Sequence, residues 1–342
     1  MTFRSLIAGA LAIVAVHAWA APPEKDDAGR VIGLKGPVQR VFPAGPPASL
    51  DLYVAAPDKM IGWTRGTKPK EPTFIPEKYL ALPLLGRLTG RGGDANLEDV
   101  LKEKPDLVLD VGDLGATYVS LADRVAQQTG IPYALMDGSL AATPTTLQKL
   151  GALMDVDTDA LARYAADTLT TIHDRAAHIA DADRRHVYLA RGPKGLETDK
   201  AGSINGQSVE FVGAINVAAV PLEGGNLMDV SMEQVLAWQP DTIIAYDPQF
   251  FASVWTDPLW QKVKAVQQRR VYLVPGQPFR WVDEPPAANR LIGLRWLAKL
   301  LYPALYPEDM RDEVRRFYEL FYHQAPSAEQ VDALLAAAAP PK

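Results

Sequence analysis

The 342-residue chain has no cysteine and only five histidines. Without cysteine there is no disulfide scaffold, no thiolate metal site, no cysteine nucleophile and no lipid-anchored cysteine at a processed N-terminus. Past residue 20 the histidines are His173, His178, His186 and His323, and the first two are five positions apart, a poor spacing for a shared metal. A strong charge of one sign is also missing. Lys and Arg number 35 against 41 Asp and Glu, a net of -6, which argues against a nucleic-acid binder that needs a basic face. After residue 20 no apolar run reaches the roughly 20 residues that a membrane-spanning helix requires. Catalytic signatures are absent too: there is no nucleophile elbow, no His-Glu-x-x-His and no serine with a nearby histidine partner. A periplasmic hydrolase would have to rest on a carboxylate pair at strand ends, Asp110 with Asp247, with split pKa values.

What is present describes a globular protein. Hydrophobic residues make up 48% and charged residues 22% of the chain, which excludes general disorder. The length exceeds what one core usually supports, so two lobes are expected. The 28 prolines are scattered as loop punctuation. Residues 1–20 carry one basic residue, Arg4, an apolar run from Leu6 to Val16, and Ala18-Trp19-Ala20 before Ala21. This pattern predicts a secretory signal peptide cleaved after Ala20 and a soluble protein in the periplasm, the alternative being an N-terminal membrane anchor.

Beyond a polar stretch over 22–36, short apolar segments alternate with helical ones. The strand candidates are 38–42, 60–63, 107–111 and 133–136, then 186–190, 242–246 and 270–274. This order predicts an α/β fold with mostly parallel sheets flanked by helices. An internal repeat sharpens it. Asn96-Leu97-Glu98-Asp99-Val100-Leu101 leads through Lys104-Pro105-Asp106 into Leu107-Val108-Leu109. Ser231-Met232-Glu233-Gln234-Val235-Leu236 leads through Gln239-Pro240-Asp241 into Thr242-Ile243-Ile244, 135 positions later without a gap. Each copy opens on an N-cap residue, with a capping box for Ser231 and Gln234 and a weaker version for Asn96 and Asp99. Proline then stops each helix. Two similar lobes follow, 38–155 and 183–339. Between them, 156–182 reads as one long amphipathic helix, with Leu161, Tyr164, Ala165, Leu169, Ile172, Ala176 and Ile179 at helical spacing and Asp157-Thr158 able to cap it. Such a rod permits small rocking and resists wide opening.

With these features the chain resembles the substrate-binding proteins of ABC importers for iron-siderophores, cobalamin and haem, over essentially its whole length past the signal. The resemblance implies that a ligand is held between the lobes and delivered by a monomer to a permease dimer in the inner membrane. In that family a glutamate on each lobe docks on permease arginines, and the matching residues are Glu98 and Glu233. A carboxylate at the same place in each repeat suits a two-fold symmetric partner and fixes register more than affinity. Both could instead complement their helix N-termini. Binding proteins for bare zinc or manganese carry several histidines at strand ends, so a chelate or an oxyanion is expected in preference, and no resident cofactor.

Ligands of doubly wound sheets sit beyond the carboxyl ends of the strands. Residues there are Trp63, Arg65, Tyr118, Arg191, Tyr246, Arg280 and Trp281, with Arg87 and Arg91 in the glycine-rich turn before Asn96. In siderophore binders an arginine near the Asn-Leu-Glu helix and an aromatic one strand later touch the ligand, and Arg91 and Tyr118 occupy comparable places. Guanidinium forks bind carboxylate, hydroxamate or other oxyanions, and aromatic faces cover a flat chelate. The alternatives for each are a surface salt bridge and a core contact. A ferric siderophore is the expected cargo, with molybdate or tungstate, haem and cobalamin as alternatives. A sensor handing its signal to a membrane receptor would use the same cleft. The Gly86–Gly93 turn lacks the Gly-Lys-Ser/Thr ending of a phosphate loop. The stripe Val314, Phe317, Tyr318, Phe321 and Tyr322 reads as core under the second lobe, while 275–286, dense in proline, aromatics and acids, is too elaborate for a plain strand-end loop.

Overall fold

The computed structural model describes residues 21–64, 74–90, 95–221 and 225–341. The expected signal segment and two of the expected ligand residues, Arg65 and Arg91, lie outside them.

The first lobe contains strands β1 (Val41–Pro43), β2 (Trp63–Thr64), β3 (Leu84–Leu85), β4 (Leu107–Gly112) and β5 (Tyr133–Asp137). Strands β1, β4 and β5 form a parallel sheet in the order β1-β4-β5, with Val41 opposite Leu107 and Val108 opposite Tyr133. The second lobe contains β6 (His186–Ala190), β7 (Glu197–Asp199), β8 (Ile215–Asn216), β9 (Leu227–Asp229), β10 (Thr242–Ala245) and β11 (Val271–Leu273). Its parallel sheet runs β11-β10-β6-β8, and β7 and β9 make a separate antiparallel ribbon. The α/β reading with parallel sheets holds. Helices cover both faces, so β4 and β10 are nearly continuous apolar runs rather than alternating ones.

The repeat has a structural reason. Helices Leu97–Glu103 and Met232–Trp238 each start on a complete capping box, Asn96 with Asp99 and Ser231 with Gln234. Each ends on a residue with positive φ, Lys104 at 49° and Gln239 at 43°, which turns the chain into the proline. The following aspartate ties the new strand to its neighbour. Asp106 Oδ2 accepts from the Gln39 and Arg40 N–H groups at 2.8 and 2.9 Å, just before β1. Asp241 Oδ2 accepts from the His186 N–H at 3.1 Å, at the start of β6. The duplicated Pro-Asp therefore sets the register of the central strand in both sheets.

The linking helix is shorter than its sequence pattern. It spans Asp159–Ala176, 18 residues, or about 27 Å at 1.5 Å per residue. Asp157 Oδ1 accepts the Asp159 N–H, while the Thr158 hydroxyl donates to the Leu147 carbonyl instead of capping. At the far end Ile179 leaves the helical path and packs with Ala176 against Gly213, where a Cβ would lie 2.9 Å from Ile179 and 3.2 Å from Ala176 and where the φ of +80° also favours glycine. Nor is the helix a free-standing rod. It packs against helices Thr143–Met154, Arg290–Leu301 and Met310–Phe321. Their buried residues join Leu109 of β4 and Leu189 of β6 in one continuous core. The C-terminal aromatic stripe is buried as expected, but it braces the first lobe as well. Tyr53 donates to the Tyr322 carbonyl at 2.6 Å, and Tyr164 packs on Phe317 and Phe321.

The weakly patterned N-terminal stretch also has a fixed place. Asp27 N–H donates to the Leu135 carbonyl, Asp26 Oδ2 accepts the Leu135 N–H, and Asp27 Oδ2 accepts the Asp137 N–H. Residues 26–27 thus cover the free edge of β5, which would otherwise offer unpaired backbone groups to another strand.

Candidate ligand-binding cleft

The carboxyl ends of the parallel strands bring three of the expected residues into one cluster. Arg191 follows β6 and Tyr246 follows β10, and the guanidinium lies over the Tyr246 ring, 3.8 Å from its centroid. Arg191 Nε donates to Asp199 Oδ2 at 2.6 Å, and Nη2 donates to Asp283 Oδ2. Nη1 lies 3.9 Å from Glu284 Oε2, which Arg280 also engages at 2.5 Å. Arg191 is only 9% exposed. Burial acts to lower its pKa, but Asp283, Tyr246 and Asp199 outweigh that and hold it well above the usual range. The fork expected to grip an anion is already filled by protein carboxylates. Arg191 is a tie that joins the end of β6 to the β7 ribbon and to the 275–286 segment. Arg280 is the more accessible partner, 34% exposed at its side chain.

Trp63 and Trp281 are both fully buried, which corrects the expectation that they present faces at a cleft. The Trp63 indole N–H donates to the Tyr79 carbonyl at 2.7 Å, and its ring packs on Tyr53 and Phe279. The Trp281 N–H donates to the Tyr318 hydroxyl at 3.0 Å, with the backbone close against Gly293. Each indole finds apolar packing and a hydrogen-bond acceptor in the core, which satisfies both halves of its chemistry.

In the first lobe Tyr118 sits in the first turn of helix Ala116–Thr129, half-buried. Burial, with Asp113 and Asp110 nearby, raises its hydroxyl pKa. Sequence reasoning did not pick out Thr89, whose hydroxyl donates to Asp110 at 3.1 Å. A Cβ on Gly45 would lie 2.2 Å from that hydroxyl oxygen, so the turn after β1 needs glycine. Asp110 also accepts from the Tyr133 hydroxyl and the Val111 N–H. Burial raises its pKa to about 6 against the lowering effect of these donors. Asp247 is an N-cap, accepting from the Gln249 and Phe250 N–H groups. Asp110 and Asp247 therefore have separate structural partners. Asp199 and Asp283 were also missed. The only sequence signal was the density of acids in 275–286, which could have pointed to Asp283 but not to Asp199.

Between the lobes lies a small pocket lined by Asp51, Asp137, Thr143, Leu147, Ala287 and Arg290. Arg290 Nη2 donates to the Gly138 carbonyl at 2.6 Å and Nη1 to the Ile204 carbonyl at 3.4 Å, linking the two lobes. Burial lowers the Arg290 pKa to about 10 and raises that of Asp51 to about 6. Among the described residues, no group of three or more His, Asp or Glu side chains could hold a metal ion. Glu98 and Glu233 are exposed in the first turns of their matched helices. The Glu233 carboxylate is held below its usual range by its own helix N–H and by Ser231.

A family model described as periplasmic binding protein matches residues 67–278. The molybdate-binding protein MolA of Haemophilus influenzae is 27% identical over 257 residues, 69% of this chain and 72% of that protein. A solved ABC transporter solute binding protein from Sulfurospirillum deleyianum superposes with a TM-score of 0.83 at 29% identity, covering 91% of this chain and 98% of that one. The structure of MolA bound to molybdate shares the fold, with a TM-score of 0.73 at 20% identity over 89% of this chain and 98% of its own. The matched residues span most of both lobes, and the chain belongs to the periplasmic binding protein family, as a solute-binding protein of ABC transport and not an enzyme.

Proposed function

We propose that the protein captures a compact oxyanion of the molybdate and tungstate class and delivers it to an inner-membrane ABC permease. The observation that carries this reading is the withdrawal of Trp63 and Trp281 into the core. A ferric siderophore, haem or cobalamin presents a broad apolar or flat surface, and the two largest rings expected to cover it are committed elsewhere. A small tetrahedral anion needs only a few donors. Arg65 and Arg91 are the arginine forks for it, alongside Tyr118. The similarity to MolA, which is named for molybdate binding, supports the same cargo.

Titration calorimetry with molybdate, tungstate, sulfate, a ferric hydroxamate, haem and cobalamin tests the assignment. The oxyanions should bind, and Arg91→Ala or Arg65→Ala should weaken them roughly 10- to 100-fold, the loss of one charged hydrogen bond. Binding of the hydroxamate alone would restore the siderophore reading. Glu98 and Glu233 are proposed as the permease contacts. The double substitution Glu98→Lys, Glu233→Lys should abolish uptake while leaving calorimetric affinity unchanged. Lost affinity would place these acids at the ligand. Mass measurement of exported protein tests cleavage after Ala20.

A further inference from the structure

The Arg191 cluster holds more negative charge than its one guanidinium balances. Asp199 and Asp283 are both completely buried, and both accept from Arg191 through Oδ2. Their donors, Nε and Nη2, form the edge of the fork that a single carboxylate ordinarily spans. Here two residues, 84 positions apart in the chain, supply one oxygen each. Two like charges are thus drawn to one edge of one cation, away from water, where both cannot remain ionised at low cost. The remaining oxygens, Asp199 Oδ1 and Asp283 Oδ1, are buried and have no hydrogen-bond partner. Orphaned carboxylate oxygens in a dry site are rare unless one is protonated and can itself donate.

Other charged groups pack around the pair, among them Lys200, the buried residue that follows Asp199. From the β7 side, Glu197 adds negative charge near Asp199. From the loop after β7, Asn205 Nδ2 donates to Asp283 Oδ2, which is already occupied. From the end of β10, the buried Tyr246 hydroxyl lies close enough to Asp283 to interact with its carboxylate, outside good hydrogen-bond geometry. From the 275–286 segment, Glu284 and Arg280 pair with each other. From helix Arg290–Leu301, Arg290 feels Asp283 but more strongly Asp51.

We propose that the Asp199–Asp283 pair binds one proton, so that an acid and a carboxylate, not two carboxylates, grip Arg191. The proton removes the surplus charge and turns one orphaned acceptor into a donor. It thereby holds the end of β6, the β7 ribbon and the 275–286 segment together as one wall of the second lobe. Burial, reinforced by Asp283, raises the Asp199 pKa in the same direction.

Infrared spectroscopy of the full chain tests this directly. Asp51 and Asp110 each titrate near about 6 and are ionised by about pH 8. At that pH the wild-type protein should retain a protonated-carboxyl C=O band that shifts in D2O. The band should vanish in both Asp199→Asn and Asp283→Asn, each of which fixes one member of the pair in a neutral state. If one amide variant folds poorly, the other makes the same test. Wild-type protein should also lose amide-exchange protection in residues 191–206 and 275–286 as the pair deprotonates at higher pH, whereas Asp283→Asn should keep it. A wild-type spectrum without the band at about pH 8 overturns the proposal and points to a bridging water. So does a band that survives in both variants.

Discussion

The two lobes are built on the same repeat, yet they treat charge at their strand ends in opposite ways. In the first, Asp110 closes the apolar run of β4 and is surrounded by neutral donors: the Thr89 and Tyr133 hydroxyls and the Val111 N–H. In the second, the residue 135 positions later is Ala245, and the strand ends converge on Arg191 with two buried aspartates. In the first lobe neutral donors surround a single buried acid, while in the second two buried acids share one guanidinium; burial raises the pKa of Asp110 and of Asp199 alike. Duplication has preserved the scaffold, namely the capping boxes, the prolines and the register-setting aspartates, while the strand-end chemistry diverged. The same level of the fold is also where a ligand would meet the two walls.

The sharpest way to break the comparison is to remove the cation. Arg191→Ala should cost about 3–5 kcal/mol in chemical denaturation, because it strands Asp199 and Asp283 without a counter-charge. A loss below about 1 kcal/mol would mean that the aspartates are readily neutralised without Arg191. The corresponding change in the first lobe, Asp110→Ala, leaves only neutral donors unpaired and should cost about 1–3 kcal/mol.

Acid dependence gives a further handle on the buried acids of the first lobe. Asp110 and Asp51 have native pKa values of about 6 against 3.8 for an ordinary aspartate. The native state therefore binds protons more tightly than the unfolded chain. The stabilisation is complete below pH 3.8, declines between 3.8 and about 6, and is lost above that. Each acid contributes up to about 3 kcal/mol by this linkage. Asp110→Asn should flatten that part of the stability profile by roughly half, read from urea midpoints at a series of pH values. An unchanged slope would show that Asp110 keeps an ordinary pKa.

The repeated scaffold was legible in the chain because its signals are local. Caps, prolines and apolar runs act over a few residues, so strands, helices and the two-lobe order could be read directly. The fate of the strand-end side chains was not legible, because it depends on distant partners. Arg191 meets Asp283 across 92 positions, and Trp281 meets Tyr318 across 37. An arginine or tryptophan after a strand looks the same in sequence whether it faces a ligand or is tied into the core. The linking helix came out too long for a related reason. Its apolar spacing continues through Ile179, but that residue is used to pack on Gly213 after the helix has ended.

The smallest expected effect concerns the part of the repeat that did not diverge. Asp106 and Asp241 occupy matching positions, and each accepts backbone N–H groups from the neighbouring strand's start. Asp241 has an additional ion pair with Lys264 at 2.5 Å, but that lysine is half exposed, so solvent screening leaves it a minor contribution. Asp106→Ala and Asp241→Ala should therefore destabilise by similar amounts, about 1–2 kcal/mol each, the cost of losing hydrogen bonds to a charged acceptor at a wet strand edge. Asp241→Asn, which keeps an acceptor for His186 N–H but removes the charge, should recover most of the loss. If it does not, the Lys264 ion pair is the dominant contact, and the second lobe has come to rely on charge pairing even in its shared scaffold.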